Sequence, residues 1–238
     1  MSQAGPAPPD DATIAETRQT YDLIAAEFAE RTSSPEPVIV QRLSHLASAL
    51  PAGGLVADVG CGPGRDAILL RERGFRVVGL DLSIGQLRAG SLPCLVQADM
   101  RRLPLRAASV DAIWCQAALL HLPRALVPGV LADFGRAVRR GGALSLSVAE
   151  GDGEGFEVAS NYGSDRRRWF TFPPCARADL PGGSGRIHGA ANLPPPLSPG
   201  LAVSRRHPIL SEMRADPRLD PGMVTRRSPR LTRRCQLR

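Results

Sequence analysis

The 238-residue chain contains no lysine, so all 30 of its basic side chains are arginine. That absence removes the phosphate-cradling loop that ends in Gly-Lys-Ser/Thr. It also removes the Tyr-x-x-x-Lys pair of one group of nicotinamide-dependent oxidoreductases. Cysteine is sparse: Cys61, Cys94, Cys115, Cys175 and Cys235 are odd in number, far apart and form no Cys-x-x-Cys pair. Neither a disulfide framework nor a zinc site is expected from such spacing, and no metal ligand set is assigned. No stretch approaches the ~18 consecutive apolar residues of a membrane span. Residues 1 to 9 show neither the basic region nor the apolar run of an export signal. The expectation is a soluble, cytoplasmic protein with no membrane partner.

Aromatic residues are few as well, ten in all, and none follows Phe172. The charge divides at the same place. The overall excess of +7 resembles a nucleic-acid signal, yet residues 1 to 172 hold 18 arginines against 19 acidic residues. Residues 173 to 238 hold 12 against 4. The body of the chain is therefore close to neutral, without the basic face that phosphate-backbone binding requires.

What is present is one stretch around which the rest is arranged. Leu55 to Val59 is short, apolar and preceded by the breaker Pro51-Ala52-Gly53-Gly54, which predicts a buried strand. Gly60, Gly62 and Gly64 follow at alternate positions, and a helix is expected from Arg65. Lacking Cβ, such a turn can bend sharply and present backbone amides to a ligand. A dinucleotide fingerprint would place its third glycine where Arg65 stands.

From Leu55 onward, strands are expected at 55–59, 76–80, 94–98, 111–115 and 143–148. Helices are expected near 65–73, 84–89 and 123–139, with Gly74 ending the first and Gly141-Gly142 the last. Upstream, Thr13-x-x-Glu16 has capping-box spacing, and Ile14, Tyr21, Ile24, Ala25 and Phe28 form one stripe of a helix running to about Glu30. A second helix spans Pro37 to Leu50. Ligands of such sheets sit beyond the carboxyl ends of the strands. Asp81 ends strand two, where a carboxylate can accept from both hydroxyls of a ribose or can cap the next helix.

Asp58-Val59-Gly60-Cys61-Gly62-Pro63-Gly64 resembles the first motif of class I S-adenosylmethionine (SAM)-dependent methyltransferases. The resemblance runs from about Tyr21 to Phe172 and implies a Rossmann-like α/β sheet with helices on both faces. It divides the chain into a disordered lead-in (1–11), a helical lid (12–50), a SAM-binding core (51–172) and an irregular tail (173–238). Carried over residue by residue, it implies a backbone platform at Gly60, Cys61, Gly62 and Gly64, with Asp58 near the methionine ammonium. Asp81 and Leu82 would lie at the ribose, Asp99 and Met100 at the adenine, and Gln116 near the methyl group. The competing reading of Asp99 is an ordinary loop residue. His121, in a Leu-His-x-Pro-like segment, is a candidate general base or a structural residue opening a helix. Trp114 and Leu119 are expected in the core. Arg168, Phe170 and Phe172 alternate as a strand or cover segment on the substrate side, after a loop at 151–156.

The expected activity is in-line transfer of the SAM methyl to a small-molecule acceptor. The alternatives are a SAM-binding but inactive remnant and, further off, an NAD-dependent oxidoreductase. No Asn-Pro-Pro-Tyr or Asp-Pro-Pro-Tyr type motif follows strand four, which disfavours methylation of nucleic-acid bases. The resemblance also implies a further helix and an antiparallel strand pair after strand five, and residues 173–238 supply neither. They hold 11 prolines and no sustained period, a composition that a GC-rich gene read out of frame would give. Strand five would then be a bare sheet edge, unless Gly200-Leu201-Ala202-Val203-Ser204 substitutes.

Overall fold

The computed structural model describes residues 10–149, 151–159, 162, 166–172 and 201–204. Its centre is a six-stranded parallel sheet built from β1 (Leu55–Val59), β2 (Arg76–Asp81), β3 (Leu95–Gln97), β4 (Val110–Gln116), β5 (Val138–Ser147) and β8 (Leu201–Ser204). The order across the sheet is β3-β2-β1-β4-β5-β8, every pairing parallel. The winding therefore reverses between β1 and β4, and the carboxyl ends of these two strands open the crevice where such sheets bind ligands.

Alternation along the strands separates two apolar faces. Val56, Val77, Ala112, Trp114 and Ala143 pack against Ile39, Leu43 and Leu46 of α3 (Pro37–Ala49) and Ala67 and Leu70 of α4 (Arg65–Glu72). Ala57, Val59, Leu80, Ile113, Cys115 and Leu146 turn the other way, onto Val130, Leu131, Phe134 and Ala137 of α6 (Val127–Ala137). Leu119 and Trp114 are both in the core, as expected. The remaining elements are α1 (Asp10–Leu23), α2 (Ala25–Arg31), α5 (Ile84–Ala89) and a hairpin of β6 (Glu154–Ala159) and β7 (Arg166–Thr171). These helices and the hairpin pack together, α1 and α2 on α5 and α1 on β7.

Four expectations are corrected. The first helix begins at Asp10, so Thr13 is no cap but a buried interior residue; with Thr17 and Thr20 it forms the face that docks on β7. Thr17 Oγ1 accepts from Trp169 N at 3.0 Å, and Thr20 Oγ1 donates to Arg167 O at 2.7 Å. The helix then breaks at Ile24, whose backbone leaves the helical region, and restarts as α2. Gly141-Gly142 does not end a helix. α6 stops at Ala137, and the glycines lie in an irregular stretch of β5 where the register slips past Asp111. A Cβ at Gly142 would stand 2.5 Å from the Asp111 carbonyl oxygen, which is why a side chain is not accommodated there. Finally, residues 154–156 are strand rather than loop.

The edge of β5 is covered as the tail reading allowed: Leu144 to Ser147 pair in parallel with Leu201 to Ser204. Of the lead-in expected at 1–11, Asp10 and Asp11 open α1, and residues 1–9 lie outside the described residues, as does the rest of the irregular tail with Cys175 and Cys235. Among the described residues no helix is long and apolar enough to cross a membrane.

Candidate functional site

The glycine turn has the geometry its composition asks for. Gly60, Gly62 and Gly64 have φ of +73°, +55° and +88°, a region that side chains other than glycine's enter only with strain. At Gly60 space forbids a side chain as well, since a Cβ would fall 2.1 Å from that of Ala118 and 3.7 Å from Met100 Cε. The turn is tied to β2: Gly60 N and Cys61 N donate to Leu80 O, and Gly62 N donates to Asp81 Oδ2 at 2.8 Å. Burial raises the Cys61 thiol well above its ordinary pKa, so it remains protonated and packs beside Gly79.

Two acceptors next to this turn are buried without a hydrogen-bond partner among the described residues, Asp58 Oδ2 and Gln86 Oε1. Asp58 is 2% exposed. Desolvation, and then the negative charge of Asp66, push its carboxyl well above the usual range, despite Arg65 nearby. Asp66 is itself satisfied by Trp114 Nε1 at 2.9 Å and Arg65 Nε at 2.7 Å. The uncompensated group at the end of β1 is thus an acceptor that a cation would stabilise.

Asp81 accepts from Gly62 N with one oxygen and from Ser83 N with the other, leaving each carboxylate oxygen a second lone pair. It does not cap the next helix; Ser83 does, accepting from Gln86 N. Leu82 packs at the margin of the core and its carbonyl accepts from Gln97. Asp99 caps a short 3₁₀ turn, Met100–Arg102, by accepting from Arg101 N, and it also receives the Arg101 guanidinium. Met100 lies over Gly60. Gln116, at the end of β4, has its amide spent elsewhere: Oε1 accepts from Arg42 at 2.9 Å, and Nε2 donates to Ser145 O at 3.2 Å.

The roof over this crevice was only partly visible in the sequence. Asp22 of α1 accepts from Ser83 Oγ and Gly85 N, and Gly85 has no side chain because the Asp22 backbone would lie 2.7 Å from its Cβ. Gln86 Nε2 donates to Tyr21 O, so α1 is clamped to the start of α5. Above the turn, the Tyr21 ring meets Phe28 edge-on at 5.6 Å and His121 at 5.1 Å. Tyr21 O–H lies 2.7 Å from His121 Nε2, and His121 Nδ1 lies 2.7 Å from Trp169 O. A carbonyl can only accept, so Nδ1 carries a proton, and Nε2 shares a hydrogen bond with the Tyr21 hydroxyl. The chain continues to Arg168, whose Nη1 donates to the Tyr21 oxygen at 3.1 Å. Burial raises the Tyr21 pKa, and the Arg168 charge opposes that rise only in part. Sequence inspection marked Arg168 as cover. Its hydrogen-bond partner Tyr21 is 147 residues away, which no local pattern could reveal.

The architecture is that of the Rossmann-like class I fold. Residues 57–146 match the family model described as a methyltransferase domain. A malonyl-[acyl-carrier protein] O-methyltransferase of Laribacter hongkongensis is 33% identical over 150 residues, covering 55% of this chain and 49% of that protein. A mouse tRNA (carboxymethyluridine(34)-5-O)-methyltransferase is 33% identical over 134 residues, covering 55% of this chain and 19% of that protein. The chain thus spans about half, or less, of the curated relatives it matches. The fold is similar to that of a Burkholderia thailandensis 1,6-didemethyltoxoflavin-N1-methyltransferase solved with S-adenosylhomocysteine (SAH). There the TM-score is 0.53 at 21% identity, over 71% of this chain and 76% of the other.

Proposed function

We propose that this chain transfers the methyl group of SAM to a small-molecule acceptor. The observation that supports the reading most is the unpartnered, buried Asp58 Oδ2 beside three left-handed glycines. A ligand with a cationic amine and hydroxyls meets those acceptors. In this assignment Gly60, Cys61, Gly62 and Gly64 provide the backbone wall, and Asp58 takes the ammonium. Asp81 accepts from the ribose with its two remaining lone pairs, Leu82 lies beside it, and Asp99 and Met100 bound the adenine. Gln116 closes the carboxyl end of β4, held by Arg42 and Ser145.

When bound, SAM supplies a methyl on a sulfonium leaving group, so the protein's task is to align the acceptor and exclude water. The roof of Tyr21, Phe28, His121 and Phe170 supports both. His121 is the candidate base only for an acceptor that must lose a proton, and Tyr21 already occupies its Nε2. The acceptors named for the relatives differ, a malonyl group in one and a tRNA uridine in another. A small molecule is favoured here because residues 1–172 carry no excess of positive charge. Titration calorimetry with SAH tests the cofactor assignment: the wild type should bind and Asp81→Ala should show no measurable binding. Unchanged affinity in the variant would remove the reading.

A further inference from the structure

The roof holds a second buried charge, of the opposite sign. Arg168 is 1% exposed, yet its Nε and Nη2 have no hydrogen-bond partner among the described residues. Its guanidinium lies in a box of three rings, with Cζ 5.3 Å from the centroid of Tyr21, 5.3 Å from Tyr162 and 5.4 Å from Phe170. Ring faces stabilise the charge but accept none of its in-plane N–H groups. Nη1, the remaining end, is used by Tyr21. A carboxylate faces it across the hairpin, that of Glu157, the cross-strand neighbour of Arg168. It is half-buried, with a pKa raised by desolvation and only partly countered by Arg168, and it reaches neither Nε nor Nη2.

Nε–H and Nη2–H are parallel donors on one edge of the guanidinium, spaced to meet the two oxygens of a carboxylate. That edge belongs to the same roof as Tyr21, whose ring also senses the charge of Asp81 beside the glycine turn. We infer that Arg168 is the docking group for an acceptor carboxylate, in a site walled by Tyr21, Tyr162, Phe170 and His121. This rests on the methyl-transfer reading above and narrows it to carboxylic acid acceptors, with the methyl ester as product.

The chemistry balances without a base. A carboxylate oxygen forms the new O–C bond, the C–S bond breaks with its electron pair going to sulfur, and no proton leaves. The products are a neutral ester and a neutral thioether. His121 then has no proton to remove, in keeping with an imidazole engaged by Tyr21 on one side and Trp169 on the other. It acts as a positioning residue that holds the Tyr21 hydroxyl under Arg168.

The test is binding of sodium acetate and of its neutral counterpart acetamide to the full chain at constant ionic strength, followed by NMR line broadening of the labelled probe. SAH affinity is measured in parallel. Acetate should bind about tenfold or more tightly than acetamide, the ratio a charge-assisted fork gives. Arg168→Met should lose that preference with SAH affinity unchanged, and Arg168→Lys, which keeps the charge but not the fork, should fall between. Equal binding of acetate and acetamide, or a preference that survives Arg168→Met, overturns the inference. So does stronger binding of inorganic phosphate than of acetate. If Arg168→Met fails to fold, the wild-type ratio and Arg168→Lys still decide. Loss of SAH binding in the wild type with acetate preference intact would overturn the methyl-transfer reading instead.

Discussion

The floor and the roof of the crevice each bury one ionisable group with atoms left unpartnered among the described residues, and they do so in different ways. On the floor, Asp58 ends a central strand, is bracketed by Asp66 and Asp81, and has its pKa raised because folding removes water and supplies no cation at Oδ2. In the roof, Arg168 sits on a two-stranded hairpin, surrounded by rings, with its fork edge unpaired. Burying an unpaired ion is among the more destabilising things a fold can do, so each position makes sense as half of an interaction completed by a ligand. The floor calls for a cation and the roof for an anion, which is the pairing an acidic methyl acceptor beside a sulfonium amino acid would present.

The largest expected effect lies on the floor. Gly60→Ala must place a Cβ 2.1 Å from Ala118 at a φ of +73°, so it should lower stability to urea by about 3 kcal/mol. A change under half that size would mean the turn is softer than its contacts imply. Next, Asp58→Asn should weaken SAH binding by about tenfold or more. It should also alter the pH dependence of the unliganded protein. Below the ordinary carboxylate pKa, Asp58 is protonated whether folded or unfolded. Above it the unfolded chain ionises first and the native state binds the extra proton, so native stability falls as pH rises toward the raised native value. Thermal melts across that window should show this slope in the wild type and a smaller one in Asp58→Asn.

A roof change should act differently. Tyr21→Phe leaves His121 and Arg168 each short of a partner and should cost about 2 kcal/mol of stability, with SAH affinity changed less than twofold. A large loss of SAH affinity would make floor and roof one unit rather than two. The smallest effect is expected at Gly74→Ala. The φ there is +85° but nothing lies within 4 Å, so only backbone strain of about 1 kcal/mol applies. Comparing it with Gly60→Ala separates strain from collision.

The two regions also differ in how much of them could be read from the chain. β1, β2 and β4, the glycine turn and the acidic residues at the strand tips are local patterns joined by short connections, and they stand within a residue or two of expectation. β5 departed because Gly141-Gly142 looks like a helix stop and in fact accommodates Asp111 across the sheet. The roof was obscured for a different reason. Its docking face uses Thr13, Thr17 and Thr20, which a search for apolar spacing passes over, although their spacing is helical. Its central residue, Arg168, looks like part of an exposed Arg-Arg-Arg run. Strand alternation puts Arg168 on the inward face, while Arg167 on the opposite face pairs with Glu16. Gln86 was missed because nothing about a lone glutamine early in a short helix indicates that its amide spans to Tyr21.

The claim on which the rest depends is that the cation of the cofactor belongs at Asp58 Oδ2. It is tested most directly by comparing the affinity of the wild type for SAH with that for the analogue in which hydrogen replaces the α-ammonium group, each repeated on Asp58→Asn. The account predicts that the wild type prefers SAH by about tenfold or more and that Asp58→Asn removes the preference. Equal affinity of the wild type for the two ligands would contradict it.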